Sequence, residues 1–324
     1  MLQTETKTKS SSKSSITGAA PVAPHFLTGV EWSASQLQEI LNLAAQLKAE
    51  RSQGVLRPLL KDKTIVMLFD KPSLRTRLSF AVAIHELGAH AIESIGSNRK
   101  TEEPEDVIRV LAGYAHGVMI RTFDHAYVER MAELSPIPII NGLTDSHHPC
   151  QVMADLLTLQ ERFTNLKGLR LAYIGDGNNM LHSLMLLCPR LGIELHYACP
   201  VGYEPNAFIV KMSKQLATEG GGSITAHATP ESAAIGAHAL YTDVWTSMGF
   251  EHEEMARESA FEGYQINEAL MAKADAKAVV MHCMPMVRGK EISQNLPDGP
   301  QSVIFQQSEN RLHVQKAILV NLLG

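Results

Sequence analysis

TIVMLFDKPSLRTRLSFAVAIHELG, residues 64–88, decides the fold class of this chain. Its first part, 64–69, is a short β-type run, long enough for a strand and too short for a helix. A polar turn at Asp70-Lys71-Pro72 follows. Residues 73–87 then read as a helix that Gly88 stops. A strand that hands over to a helix in this way is the β-α unit of a parallel sheet covered by helices.

The same alternation extends in both directions. Upstream, Ser33 and Gln36 form a capping-box pattern, and Leu37, Ile40, Leu41, Ala44 and Leu47 recur at helical spacing. Downstream, 89–93 is extended, and a helix opens at Pro104 with Val107, Val110, Leu111 and Tyr114 on one face. Strands follow at 118–120 and 138–141, with a helix at 126–134 between them. A helix at 151–163 begins a second set, with strands at 169–174, 194–199, 224–228, 239–242 and 278–283. A last helix, 309–323, carries Leu312, Gln315, Lys316, Leu319 and Leu323. No internal repeat has a fixed period. The expected architecture is α/β: two doubly wound parallel-sheet domains joined near residue 150, with order beginning near His25.

Composition agrees. At 324 residues the chain exceeds one ordinary domain of roughly 100–200 residues. Hydrophobic residues at 45% and charged residues at 19% are globular values and exclude general disorder. Lysine plus arginine number 29 against 34 acidic residues, a net charge of −5 that argues against nucleic-acid and anionic-membrane partners. No run approaches the ~18 apolar residues of a membrane span. The cysteines are Cys150, Cys188, Cys199 and Cys283, with no C-x-x-C pair, which fits a reducing compartment and cytoplasmic location better than a disulfide or structural-zinc scaffold. Residues 1–24 are rich in Ser, Thr and Lys, with Glu5 as their acid; lacking arginine before Arg51, they read as a disordered tail rather than a transit peptide.

The chemistry gathers on one rim. In open α/β sheets ligands bind beyond the carboxyl ends of the strands. The clusters that follow the expected strands are 70–77, 121–122, 147–151, 175–179, 243–249 and 282–289. Two such rims facing each other would form an interdomain cleft. Ser73-Leu74-Arg75-Thr76-Arg77 offers free N–H groups, hydroxyls and guanidinium at a helix N-terminus, the donor set for a phosphate dianion. Spacing alone reads it equally as a cap beside solvated arginines. Arg121, ending an apolar run, needs an anionic partner.

His147-His148-Pro149-Cys150-Gln151 could ligate zinc, but no second cluster has matching spacing, and no metal is expected. His148 and Gln151 would instead be neutral donors to a carbonyl oxygen and an amide. Gly175-Asp176-Gly177-Asn178-Asn179 is a partial dinucleotide fingerprint without its third glycine, and no acid follows the next strand for a ribose; a nicotinamide dehydrogenase is therefore disfavoured, and no cofactor is expected. Asp243-Val244-Trp245-Thr246-Ser247-Met248-Gly249 suits a small zwitterion, although Trp245 and Met248 would serve equally in a core. His282 and Cys283, adjacent on a strand, should point to opposite faces, which argues against a nucleophilic Cys–His dyad.

Together these clusters resemble the aspartate/ornithine carbamoyltransferase family, and within it the ornithine-specific branch. The resemblance runs from His25-Phe26-Leu27-Thr28-Gly29 to the final helix. Ser73-Leu74-Arg75-Thr76 is similar to the family's S-x-R-T phosphate loop, and His148-Pro149-Cys150-Gln151 to H-P-x-Q. Residues 243–249 match D-x-W-x-S-M-G. His282-Cys283-Met284-Pro285 with Arg288-Gly289 resembles H-C-L-P…R-G, and Glu309-Asn310-Arg311-Leu312-His313 resembles E-N-R-x-H.

The resemblance implies carbamoyl transfer from carbamoyl phosphate to the side-chain amine of L-ornithine, giving citrulline and phosphate, a step of arginine biosynthesis and of urea-cycle-type chemistry. It implies a carbamoyl-phosphate domain at 25–150, an ornithine domain at 151–308, and a C-terminal helix, 309–324, crossing back to the first. Carbamoyl phosphate would meet Ser73, Leu74, Arg75, Thr76, Arg121, His148, Gln151, Cys283, Met284 and Arg311. Ornithine would meet Asn179, Asp243, Ser247 and Met248, with Cys283, Arg75, Arg121 and His148 as the catalytic set. The implied assembly is a homotrimer or a multiple of trimers.

Some positions depart from the family pattern. Ser97-Asn98-Arg99 stands where a Q-L-G loop usually reaches the neighbouring subunit's carbamoyl phosphate, with Arg99 or Lys100 as the compensating cation. Leu74 replaces a threonine, and Val287 stands where histidine is common. Two other readings stay open: a carbamoyltransferase for another amine, putrescine or an N-acylornithine, and a non-catalytic paralogue.

Overall fold

A computed structural model of the chain describes residues 24–96, 102–246 and 251–324. The readings placed on Ser97, Asn98, Arg99 and Lys100, and on Ser247 and Met248, lie outside the described residues.

After α1 (Ala34–Ser52) the chain runs β1 (Thr64–Phe69), α2 (Arg75–Glu86), β2 (His90–Ile95), α3 (Pro104–Ala112), β3 (Gly117–Arg121), α4 (His125–Glu133) and β4 (Ile139–Leu143). These strands form a four-stranded sheet in the order β2-β1-β3-β4, with every pairing parallel. Helix α5 (Pro149–Phe163) leads to β5 (Arg170–Ile174), α6 (Asn179–Leu187), β6 (Glu194–Ala198), α7 (Ala207–Gly220), β7 (Ser223–Ala226), α8 (Pro230–Ala234) and β8 (Ala239–Thr242). Then come α9 (Glu254–Ala260), α10 (Glu268–Met271), β9 (Val279–His282) and α11 (Ile304–Leu323). The second sheet has five parallel strands in the order β7-β6-β5-β8-β9.

Central strands read as unbroken apolar runs because both their faces are covered. Ile65, Met67 and Phe69 of β1 turn into one core, and Val66 and Leu68 into another. In the second sheet, Leu171 and Tyr173 of β5 face the first of those cores, while Ala172 and Ile174 face a third. The shared core therefore lies between the sheets and is continuous through α1, α5, α6 and α11. Two three-layer units meet along helices they hold in common.

Two expectations need correction. The last helix begins at Ile304, five residues before 309. Its N-cap, Val303, makes no side-chain cap bond, so the local sequence carries no start signal. On α3, Val107 and Ile108 are buried, but Val110 and Tyr114 are exposed. The helix ends at Ala112 before the apolar stripe completes another turn. By contrast, Ser33 and Gln36 close the capping box in front of α1, and the five apolar residues expected on its face are buried.

Each sheet changes direction once. The order reverses between β1 and β3 in the first sheet and between β5 and β8 in the second. Crevices open at such points beyond the carboxyl ends of the strands, and here both crevices face the same cavity. Helix α11 crosses back to pack on α1, α2 and α5, which brings Arg311 into that cavity.

Candidate active site

The first wall is cationic. Where β1 ends, the chain turns and α2 starts at Arg75; the Thr76 N–H donates to Ser73 Oγ (3.2 Å). Leu74 at the N-cap supplies no side-chain acceptor, so the positive end of the helix dipole is left for an outside group. Arg121 closes β3 and is only 5% exposed. Burial, reinforced by the neighbouring charges of Arg311 and Arg75, pushes its guanidinium down to about 10. Arg311 reaches in from α11, donating from Nη1 to Gln151 Oε1 (2.7 Å) and from Nη2 to Thr76 Oγ1 (3.0 Å). Among the described residues, none of these three arginines has a carboxylate partner, and Arg121 Nε and Arg311 Nε have no hydrogen-bond partner. Unpaired buried cations at this density are costly unless an anion arrives.

His148 completes that wall. Its backbone N–H donates to Ser183 Oγ (2.7 Å), fixing the turn into α5, while its Nδ1 has no partner among the described residues. Burial, with Arg311, Arg121 and Arg75 close by, holds the imidazole neutral, far below its ordinary pKa. A neutral imidazole can still donate one hydrogen bond.

The second wall is built on β5, β8 and β9. Asp243 follows β8 and is held from several directions: Asn178 Nδ2 donates to Oδ2 (2.9 Å), and the Val244 N–H (2.8 Å) and the Cys283 thiol (3.0 Å) donate to Oδ1. Cys283 is the first residue beyond β9. Burial and the Asp243 carboxylate push its thiol well up, so it stays protonated and serves as a donor. Asn178 caps α6 through bonds from the N–H groups of Met180 and Leu181, and Asn179 Nδ2 donates across the cleft to the Thr144 carbonyl (2.8 Å).

Between the walls is a cavity of about 450 Å³. Ser73, Leu74, Arg75, Thr76, Arg121, His148 and Arg311 line one side. Asn179, Asp243, Cys283 and Met284 line the other. Gln151 sits one layer back, buried behind Arg311 and also donating to Asp155 (2.9 Å). Lys71 and Thr246 line the cavity without having been singled out from sequence, as does Val287, which the sequence marked only as a departure from the family pattern. Lys71 was legible in principle, since it directly follows Asp70 on the rim. Its amine lies 3.9 Å from the centre of the Phe123 ring, and burial next to Arg121 lowers its pKa.

Other sequence motifs find structural explanations. A Cβ on Gly177 would stand 2.3 Å from the Pro205 nitrogen, so the G-x-G is set by close backbone packing. Asp176 in the same turn is taken by Arg257 Nη1 (2.8 Å), which also donates to the Trp245 carbonyl (3.0 Å). Donor atoms of Asp243, His282 and Cys283 lie within 4.8 Å of one another. His282, however, accepts from the Met284 N–H at Nδ1 (2.8 Å) and donates from Nε2 to Glu291 (3.0 Å), so both its nitrogens are engaged within the fold. That arrangement fits a structural histidine better than a metal ligand.

The cavity thus presents an anion site against an acceptor-and-amide wall, and comparison with known proteins agrees. The family model described as aspartate/ornithine carbamoyltransferase, carbamoyl-P binding domain, matches residues 24–161, and the one described as the Asp/Orn binding domain matches 167–322. The chain is 46% identical over 301 residues to an ornithine carbamoyltransferase of Anoxybacillus flavithermus, covering 92% of this chain and 96% of that one. It is 47% identical over 307 residues to one of Rhodococcus jostii, covering 94% and 97%. The structure of ornithine carbamoyltransferase from Pyrococcus furiosus superposes with a TM-score of 0.90 at 40% identity, covering 94% of this chain and 98% of that one. With both halves matched in order and the cavity at their junction, the chain belongs to the aspartate/ornithine carbamoyltransferase family.

Proposed function

We infer that this protein transfers the carbamoyl group of carbamoyl phosphate to the side-chain amine of L-ornithine, forming L-citrulline and phosphate. The observation that carries the reading is the cluster of Arg75, Arg121 and Arg311, without carboxylate partners among the described residues, facing Asp243 and Cys283 across one cavity.

Ser73, Leu74, Arg75 and Thr76 would hold the phosphoryl oxygens through the first turn of α2, with Arg121 and Arg311 balancing charge. The carbamoyl oxygen would lie toward Arg121, His148 and the thiol of Cys283, with the Met284 backbone beside it. Gln151 would act from behind, through Arg311. Attack by the amine places negative charge on that oxygen, and donors already oriented there stabilise it without reorganising. Ornithine would be held by Asn179 and Asp243, and by Ser247 and Met248, which lie outside the described residues. Its side-chain amine must lose a proton to attack, while the free amine is mostly protonated near neutral pH. Asp243 and Cys283 would orient it, and the departing phosphate accepts the proton. Closure of the two lobes would keep out water, the competing nucleophile.

In this reading 25–150 together with the last helix forms the donor lobe and 151–308 the acceptor lobe. We further propose a homotrimer or a multiple of trimers. Leu78 and Val82 are exposed one turn apart on α2, with Leu74 exposed at its N-cap, and Ile95 is exposed on the α2 side of the adjacent edge strand β2, apolar surface suited to a second copy. Four free cysteines support the cytoplasm as the setting, and we propose arginine biosynthesis as the role that a citrulline-forming reaction would fill. The test is product formation from carbamoyl phosphate with ornithine, aspartate, putrescine and N-acetylornithine in parallel. Ornithine is expected to react fastest; faster reaction with any other amine, or no turnover with any, overturns the reading.

A further inference from the structure

Behind the cavity, a fully buried carboxyl that sequence reasoning did not single out collects three donors. Asp155, on α5, is 0% exposed. Its Oδ1 accepts from Gln151 Nε2 (2.9 Å) and Gln307 Nε2 (2.7 Å), and its Oδ2 from the Tyr241 hydroxyl (3.0 Å). The donors come from α5, α11 and β8, so the group sits where the two sheets and the crossing helix meet.

What matters is what this does to two side-chain amides. A glutamine amide has a donor end and an acceptor end, and an acceptor at one end decides which way it faces. Because Gln151 gives its N–H to Asp155, its oxygen is turned toward Arg311 Nη1 (2.7 Å). Because Gln307 gives its N–H to Asp155, its oxygen is turned toward the backbone N–H of His282 (2.9 Å), the residue before Cys283. Arg311 in turn holds Thr76 in the phosphate loop (3.0 Å). If either amide reversed, its N–H would face another donor with no acceptor between them, a costly arrangement in a buried site.

We propose that Asp155 is a positioning residue for both halves of the reaction: one acceptor sets the polarity of Gln151 and Gln307, and thereby the seats of Arg311 and Cys283. This rests on the functional reading given above and deepens it, because it ties the anion wall and the amine wall to a single buried group. Burial raises the carboxyl of Asp155 to about 7 despite its three donors, the direction expected where burial disfavours the charged form.

The test compares Asp155→Asn and Asp155→Leu with the wild type, measuring kcat, KM for each substrate and thermal melting. The asparagine keeps one acceptor for the two glutamines, and the leucine keeps none. Asp155→Leu is expected to lower kcat/KM for both carbamoyl phosphate and ornithine by about 100-fold, the scale of a misplaced site, and Asp155→Asn by about 10-fold. Kinetic constants per folded molecule that match wild type in both variants overturn the proposal, whatever happens to the melting temperature. So does a loss confined to ornithine with carbamoyl phosphate untouched. If the leucine variant does not fold, the asparagine variant decides by the same criteria. A wild type that fails to carbamoylate ornithine counts against the functional reading instead; calorimetric binding of carbamoyl phosphate to wild type and variants then still tests the positioning role, with weaker binding expected and equal binding overturning it.

Discussion

The two walls of the cleft are built from similar parts and left in opposite states. On the first, Arg121, Arg311 and His148 are buried with polar atoms that have no partner among the described residues. On the second, both oxygens of Asp243 are taken by Asn178, Val244 and Cys283, and both nitrogens of His282 by Met284 and Glu291. Among the described residues the first wall holds cations without a carboxylate in contact, a charge that an incoming anion would neutralise. The second is already satisfied internally and must trade bonds to receive a ligand. A site divided in this way favours the anion arriving first, since it relieves repulsion among guanidinium groups before the amine wall has to open.

The largest expected effect tests the first wall directly. Arg75→Ala should lower kcat/KM by about 100- to 1000-fold while leaving the circular dichroism spectrum and melting temperature near wild type, because among the described residues this half-buried side chain is committed to no bond. Asp243→Asn should instead raise KM for ornithine more than KM for carbamoyl phosphate. Steady-state kinetics on the pair would break the comparison if the two variants lost the same parameter.

A smaller effect has the opposite sign on stability. Arg121→Met removes a buried cation with no counter-ion among the described residues, so the ligand-free protein should become more stable by about 1–3 kcal/mol in urea unfolding. The same variant should lose most of the rise in melting temperature that carbamoyl phosphate gives the wild type. A destabilised ligand-free variant would mean that Arg121 is structurally paired after all.

A further effect concerns pH. His147, beside the first wall, is buried against His125 and His182, and burial followed by their proximity pushes it down to about 3. In the unfolded chain a histidine takes up its proton near 6.5. Between those values the unfolded state binds the proton and the folded state does not. Stability from this group is therefore complete above about pH 6.5 and declines as pH falls toward 3. His147→Gln should flatten that decline in denaturant titrations at several pH values, and an unchanged slope would remove His147 from the account.

How far the sequence could be read follows the same physics. β1, β3, β5, β8 and β9 were legible because strands covered on both faces become apolar runs. Edge strand β2 was found with bounds displaced by one or two residues, since most of it is exposed and its pattern is weak. The start of α11 was missed for want of a cap, and Val110 was misjudged because only packing tells which side of a short helix rests on the sheet. In the site, residues at the end of a strand or in the turn beyond it, among them Arg75, Arg121, Asp243 and Cys283, could be picked out by position. Gln151 and Asp155 could not be assigned their places. Their partners lie on α11, β8 and Arg311, and nothing local in α5 announces which distant groups will be carried against it.

The bond from Arg311 to Thr76 spans 235 positions of sequence. Contacts of such separation form late, because the chain between them must first be ordered. While the phosphate loop and its own sheet assemble from neighbouring segments, the loop lacks its third arginine until α11 docks. Maturation of the anion site thus depends on a long-range docking step of folding. During refolding, recovery of carbamoyl-phosphate binding should lag behind recovery of helical signal.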